Sequence, residues 1–201
     1  MKELDLLKKD WQKNENSFEQ VSESEIYKMI HKKSSSIVKW IFIISIIEFV
    51  FLNSLSFFLP NERLSNSGSI DAFINGLDYL SYAVALFFMY LFYKNYRSIS
   101  VTSSTKKLME CILNTRKTVK YYISYNLTFI LFISLLLVFY RVQHSPLWTS
   151  GDTPKIIFTC LISIFLILVL LLFVWLFYQL IYGILLKRLN KNYGELKKID
   201  L

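Results

Sequence analysis

Four long apolar runs, at 37–59, 74–92, 121–140 and 156–186, constrain this chain more than any other feature of its sequence. A helix rises about 1.5 Å per residue, so about 20 residues cross the hydrocarbon layer of a bilayer. The first three runs fit that length. The fourth spans 31 residues and must tilt, or continue as helix beyond the bilayer at its inner end. Of the 201 residues 54% are hydrophobic, above the roughly 45–50% usual in soluble domains. The excess lies in the four runs and the charge lies between them. In lipid a spanning segment must satisfy its own backbone hydrogen bonds, which makes each run a helix. The expected fold is all-α: a polytopic membrane protein, a four-transmembrane-helix bundle with cytoplasmic helical extensions.

Basic residues orient the bundle. The amino segment holds eight Lys, the stretch 93–120 holds seven Lys and Arg, and the carboxyl segment holds five. The two remaining connections share Arg63, Arg141 and Lys155. Lys and Arg accumulate on the cytoplasmic side of spanning helices, so twenty against three places both termini in the cytoplasm. The net charge of +8 follows from this flanking lysine, with anionic lipid as its counterpart. No nucleic-acid-reading module accompanies it, and no nucleic acid is expected as a partner. The start of the chain carries no apolar run of the signal-peptide kind, so the first span is expected to insert uncleaved.

Three regions result: a cytoplasmic amphipathic helical segment at 1–36, a membrane domain at 37–186 that includes a cytoplasmic helical loop at 93–120, and a basic tail at 187–201. Ser22 and Glu25 form a capping box, with Ser22 as N-cap, and the helix they open is expected to run through Lys33 into the first span. Upstream, Leu4, Leu7 and Trp11 make one apolar stripe on a short helix, a candidate partner-binding surface. Leu108, Ile112, Thr115, Val119 and Tyr122 alternate spacings of four and three. Such a heptad-like seam predicts that the third span extends inward from near Ser104 and packs on the extended second span. The connections at 60–71 and 141–155 are short and turn-rich, too small for a folded ectodomain.

Glu48 lies near the middle of the first span, where a charge costs about 2.5–3.5 kcal/mol on insertion scales. It must be protonated, paired or turned into the bundle. Nine residues separate it from Lys39, a depth of roughly 13 Å. Asn126 and Gln179 reach comparable depths on the third and fourth spans. With Tyr125 and Tyr178 nearby, these residues are the expected intramembrane polar cluster, either interhelical glue or a proton- or cation-responsive site. Ser45 and Ser56 share the helix face of Glu48. Asp78, Asn75 and Asn53 form a second, outer set, with Asp78 expected to be solvated.

Enzyme signatures are absent: no HExxH, GxSxG or Gly-rich phosphate loop occurs. His31 and His144 fall on opposite sides of the bilayer and cannot share a metal, and Cys111 and Cys160 lack CxxC spacing. No metal and no cofactor is expected, and His31 is expected on a helix surface. A weak repeat is also present. Residues 88–93 (FMYLFY) align with 173–178 (FVWLFY), and Ile99 with Ile184, while Val38-Lys39-Trp40 echoes Val119-Lys120-Tyr121. A duplicated hairpin would produce this, as would recurring interface aromatics.

Residues 6–13 (LLKKDWQK) and 25–40 (EIYKMIHKKSSSIVKW), with the four spans, resemble uncharacterised membrane proteins of Bacteroidota over essentially the whole chain. Some of those proteins bear a carotenoid-oxygenase label. That chemistry requires a four-histidine iron site on a propeller, and a chain with two histidines and no propeller does not supply it. The resemblance implies a multi-pass protein of the bacterial cytoplasmic (inner) membrane. The expected function is non-enzymatic: anchoring or regulating a cytoplasmic protein partner through the inward-facing helices. The alternative is a small transporter or channel subunit that uses Glu48, assembled as a homo-oligomer. Orientation is tested by single-cysteine labelling in a Cys111→Ser, Cys160→Ser background. Cysteines at Lys2 and Leu201 are expected to be protected from an impermeant thiol reagent in intact cells, and one at Ser145 to react.

Overall fold

The computed structural model describes residues 22–58, 68–102, 104–146 and 151–199, and these form four helices. They are α1 (Glu23–Phe58), α2 (Gly68–Val101), α3 (Thr105–Gln143) and α4 (Thr153–Ile199). All four are long and apolar enough to cross a membrane. α1 and α3 each pack on α2 and α4, and α2 and α4 lie diagonally across the bundle. The start of α1, the end of α2, the start of α3 and the end of α4 meet at one end. That end carries most of the lysine and arginine, and we call it the basic end.

The helix ends follow local chemistry. At the start of α1 the Ser22 N–H donates to Glu25 Oε2 (3.1 Å), and the Glu25 N–H donates to Ser22 Oγ (3.3 Å), closing the expected capping box. α1 then runs unbroken into its apolar stretch. α2 ends at Val101 and α3 begins at Thr105, so the stretch expected as a helical loop is mostly the ends of two helices. Ser104 is the extended N-cap residue of α3. Before α4, Gly151 has φ of +67°, a left-handed conformation that favours glycine. Pro154 sits in the first turn of α4, where its missing N–H would have had no helical partner. The 31-residue apolar run lies within a continuous 47-residue helix, which at 1.5 Å per residue is about 70 Å long.

Burial is concentrated toward the basic end. All five residues of the α3 seam are buried. Beyond the apolar stretches Ile30, Ile99, Leu108, Ile112, Leu189 and Leu196 form one core. α4 contributes residues 13 beyond its apolar run, an extension of about 20 Å. This part of the bundle is built as a water-soluble one is, with an apolar seam inside and lysines outside. Two polar contacts lock it. Asn192 Nδ2 donates to Ser34 Oγ across buried space (3.0 Å), and Asn95 Nδ2 donates to Thr118 Oγ1 (3.1 Å). His31, expected to be a surface residue, is half-buried and places Nε2 2.7 Å from the Ile99 carbonyl, while the Tyr27 hydroxyl donates to the Thr102 carbonyl (3.3 Å). A carbonyl only accepts, so His31 carries its proton on Nε2. Together they cap carbonyls at the end of α2, where the Ile99 carbonyl otherwise accepts only the long bond from the Thr102 N–H (3.3 Å).

Within the spans the outward faces carry exposed Phe, Leu and Ile, as expected where lipid is the solvent. The aligned repeat does not carry over into packing. Phe92 and Ile99 are fully buried, whereas their sequence matches Phe177 and Ile184 are about half exposed. The residues that share the settings of Phe88, Phe92 and Ile99 are Tyr178, Tyr182 and Leu189. The FxxLFY match therefore follows interface aromatics, not helix register. Val38 and Val119 are both buried, and Trp40 and Tyr121 both exposed, so only the α1/α3 match has like environments. Leu189→Ala or Ile112→Ala in the basic-end core is expected to lower stability by about 2–5 kcal/mol. Lipid-facing Ile184→Ala should change it by under about 1 kcal/mol; chemical unfolding in detergent micelles measures both.

Candidate functional site

Glu48 is the organising residue of the membrane interior. It is half-buried on α1, and both of its oxygens accept from α4: Tyr178 Oη donates to Oε1 (2.5 Å) and Tyr182 Oη to Oε2 (3.0 Å). Asn126 Nδ2 on α3 donates to Tyr178 Oη (3.1 Å). Three helices thus converge on one carboxylate through a chain that runs amide to phenol to carboxylate. Every donor in this chain is directed toward Glu48, which acts as the acceptor at its end.

Beneath the carboxylate lies an aromatic layer centred on Tyr122. Its ring meets Phe88 at 5.3 Å, Phe92 at 5.5 Å, Tyr182 at 6.0 Å and Tyr178 at 6.1 Å, all edge-to-face. Such pairs add about 0.5–1.5 kcal/mol each beyond the area they bury. With Ile41 and Val119 this layer closes the bundle interior between Glu48 and the basic end.

Above Glu48 the packing opens into a cleft of about 200 Å³, lined by α1, α2 and α3. Ser45 and Glu48 lie on its α1 wall, Asp78 and Tyr82 on α2, and Tyr125 and Asn126 on α3. Ser45 is buried and donates back to the Phe42 carbonyl (2.7 Å). Asn53 also lines the cleft, its amide donating to the Phe49 carbonyl. Among the described residues no Lys, Arg or His lines this space.

The expected cluster is therefore rearranged. Glu48, Asn126 and Tyr178 are brought together as the depth argument placed them, and Tyr125 joins them at the cleft wall. Gln179 does not. It lies on the exposed face of α4, with its side chain against Gly183. Neighbouring helical residues point about 100° apart, so Tyr178 and Gln179 cannot both face Glu48. Tyr182, one turn from Tyr178, takes the place expected of Gln179; the i, i+4 spacing of the two tyrosines is the signal that identifies it. Asp78 and Asn53, read as a separate outer set, share the Glu48 cleft, with Asp78 exposed; Asn75 is exposed and does not line it. Leu4, Leu7 and Trp11 lie outside the described residues, as does the Ser56 side chain. Cys111 meets Ser98 Oγ at 3.1 Å, and both cysteines are free.

Four membrane-length helices, a packed basic end and a polar cleft define a multi-pass α-helical membrane protein. The family described as Domain of unknown function (DUF8845) matches residues 24–201, and the chain belongs to it. No curated protein and no solved structure matches.

Tyr178→Phe and Tyr182→Phe should each cost about 0.6–1.7 kcal/mol, the range of interhelical hydrogen bonds in membranes. Paired with Glu48→Gln in double-mutant cycles, each is expected to depart from additivity by about 0.5–2 kcal/mol. Unfolding in mild detergent gives the comparison, and strict additivity would separate the tyrosines from the carboxylate.

Proposed function

We propose that this is a non-enzymatic protein of the bacterial cytoplasmic membrane, both ends inside, that anchors or regulates a soluble partner through its basic-end bundle. The observation that carries the reading is the construction of that end. The four helices continue beyond their apolar stretches and close over a dedicated core of Ile30, Ile99, Leu108, Ile112, Leu189 and Leu196. A bundle needed only to cross the bilayer has no use for a second, water-facing core. The heptad-like seam of α3 is spent on that internal core, so the partner surface is the outside of the module. There Lys28, Lys32 and Lys33 of α1, Lys106, Lys107 and Lys117 of α3, and Lys187, Arg188 and Lys191 of α4 are exposed. An acidic protein surface complements them, and its association is steered and salt-sensitive.

The Glu48 cleft favours a second reading, a transporter or channel subunit. Against a pore through one copy stands the aromatic layer around Tyr122, buried between the cleft and the basic end. Passage would need several copies, with the path between them.

The test is affinity purification of the full chain from gently solubilised membranes. Mass spectrometry is expected to find one acidic protein in stoichiometric amount. Charge reversal of Lys106, Lys107, Lys187 and Lys191 should remove it, as should 0.5 M salt, while helicity and monodispersity are unchanged. Retention by the charge-reversed variant, or no stoichiometric protein with the native chain, overturns the reading.

A further inference from the structure

We propose that the cleft above Glu48 is a binding site for a small organic cation of the alkyl- or arylammonium class. This stands apart from the partner-binding role of the basic end.

The charge of the site comes first. Glu48 and Asp78 line one cleft of about 200 Å³, and among the described residues no basic side chain lines it to neutralise them. Glu48 is held from behind. Tyr178 and Tyr182 come from α4, which contributes no residue to the cleft, while the carboxylate itself lines it. A carboxylate offers about four acceptor sites; Tyr178 and Tyr182 occupy two and the Tyr122 hydroxyl lies close enough to take a third, which leaves one for a ligand. The donor chain from Asn126 through Tyr178 fixes the carboxylate in place before any ligand arrives, which lowers the ordering cost of binding.

The walls select the kind of cation. Phe49 and Tyr82 meet edge-to-face at 6.3 Å on the α1–α2 side, and Tyr125 stacks with Phe129 at 5.8 Å on the α3 side. All four rings line the cleft. Aromatic walls around a carboxylate suit an ammonium group, which is attracted to ring faces and is cheaper to strip of water than a hard inorganic ion. A hard divalent cation takes six or more oxygens. Here no three of His, Cys, Asp and Glu converge among the described residues, and most of the lining is carbon. The volume, below the roughly 300–1,000 Å³ of drug-sized sites, limits the ligand to the size of a single headgroup or a one-ring amine.

The probe is benzyltrimethylammonium, titrated calorimetrically into the full chain in phosphatidylcholine nanodiscs, in phosphate buffer free of organic amines. Saturable one-to-one binding is expected. Glu48→Gln should weaken it at least tenfold. Asp78→Asn and Tyr82→Leu, at the open part of the cleft, should weaken it at least threefold, and they carry the test if Glu48→Gln fails to fold. Benzyl alcohol, which has the ring without the charge, should not compete, nor should equimolar sodium. The proposal is overturned by no saturable binding to the native chain. It is equally overturned by binding within twofold of native in folded variants, by competition from benzyl alcohol, or by displacement by equimolar sodium. Proton uptake at Glu48 without probe binding overturns it as well.

Discussion

The solvent around the middle of this protein provides no hydrophobic drive for helix association, because lipid is as apolar as the side chains that face it. Cohesion there must come from close packing and from polar contacts that have no better partner. Both are found in one place, the layer where Glu48 meets Tyr178 and Tyr182 and where the Tyr122 ring is surrounded. Farther toward the basic end, past the apolar stretches, an ordinary apolar core with lysines outside takes over. Above it the interior loosens into the cleft. The bundle thus has three zones, each held by the forces its solvent allows.

This zoning accounts for the length of the helices. A 47-residue helix is far longer than a bilayer requires, and the excess is the part that builds the water-facing core. Because the same helices pass through both zones without a break, the register set at the basic end reaches the Glu48 layer. Ser34 and Asn192 clamp α1 to α4 below, and Glu48 with the two tyrosines clamps the same pair above. The two halves of the molecule share the α1–α4 contact.

A carboxyl group near the middle of a span, with two tyrosine donors, is expensive to build unless it is used for structure or for binding. As structure, Glu48 ties α1 to α4 and, through Asn126, to α3. As chemistry, it presents a carboxyl group held in place to an aromatic-walled cleft. The two roles are compatible, since Tyr178 and Tyr182 reach the carboxylate from α4, which does not line the open space.

Much of this was legible in the residues. The spans, the capping box at Ser22, the continuous first helix, the α3 start near Ser104 and its internal seam all follow from local rules of periodicity, capping and length. Those rules act within about one turn and need no neighbour. Depth counting also brought Glu48, Asn126 and Tyr178 to one level, because rise per residue is constant. What it could not supply is azimuth. Only the packed bundle decides which face of α4 looks inward, and that choice admits Tyr182, turns Gln179 outward, and separates Phe92 from its sequence match Phe177. It also merges Asp78 with the Glu48 site, since two residues on different helices become neighbours through crossing geometry, which the one-dimensional pattern does not contain. The sequence alone determined where the four described helices run and which end is basic. The tertiary structure decided what faces what, because helix rotation is set by contacts between helices and not within them.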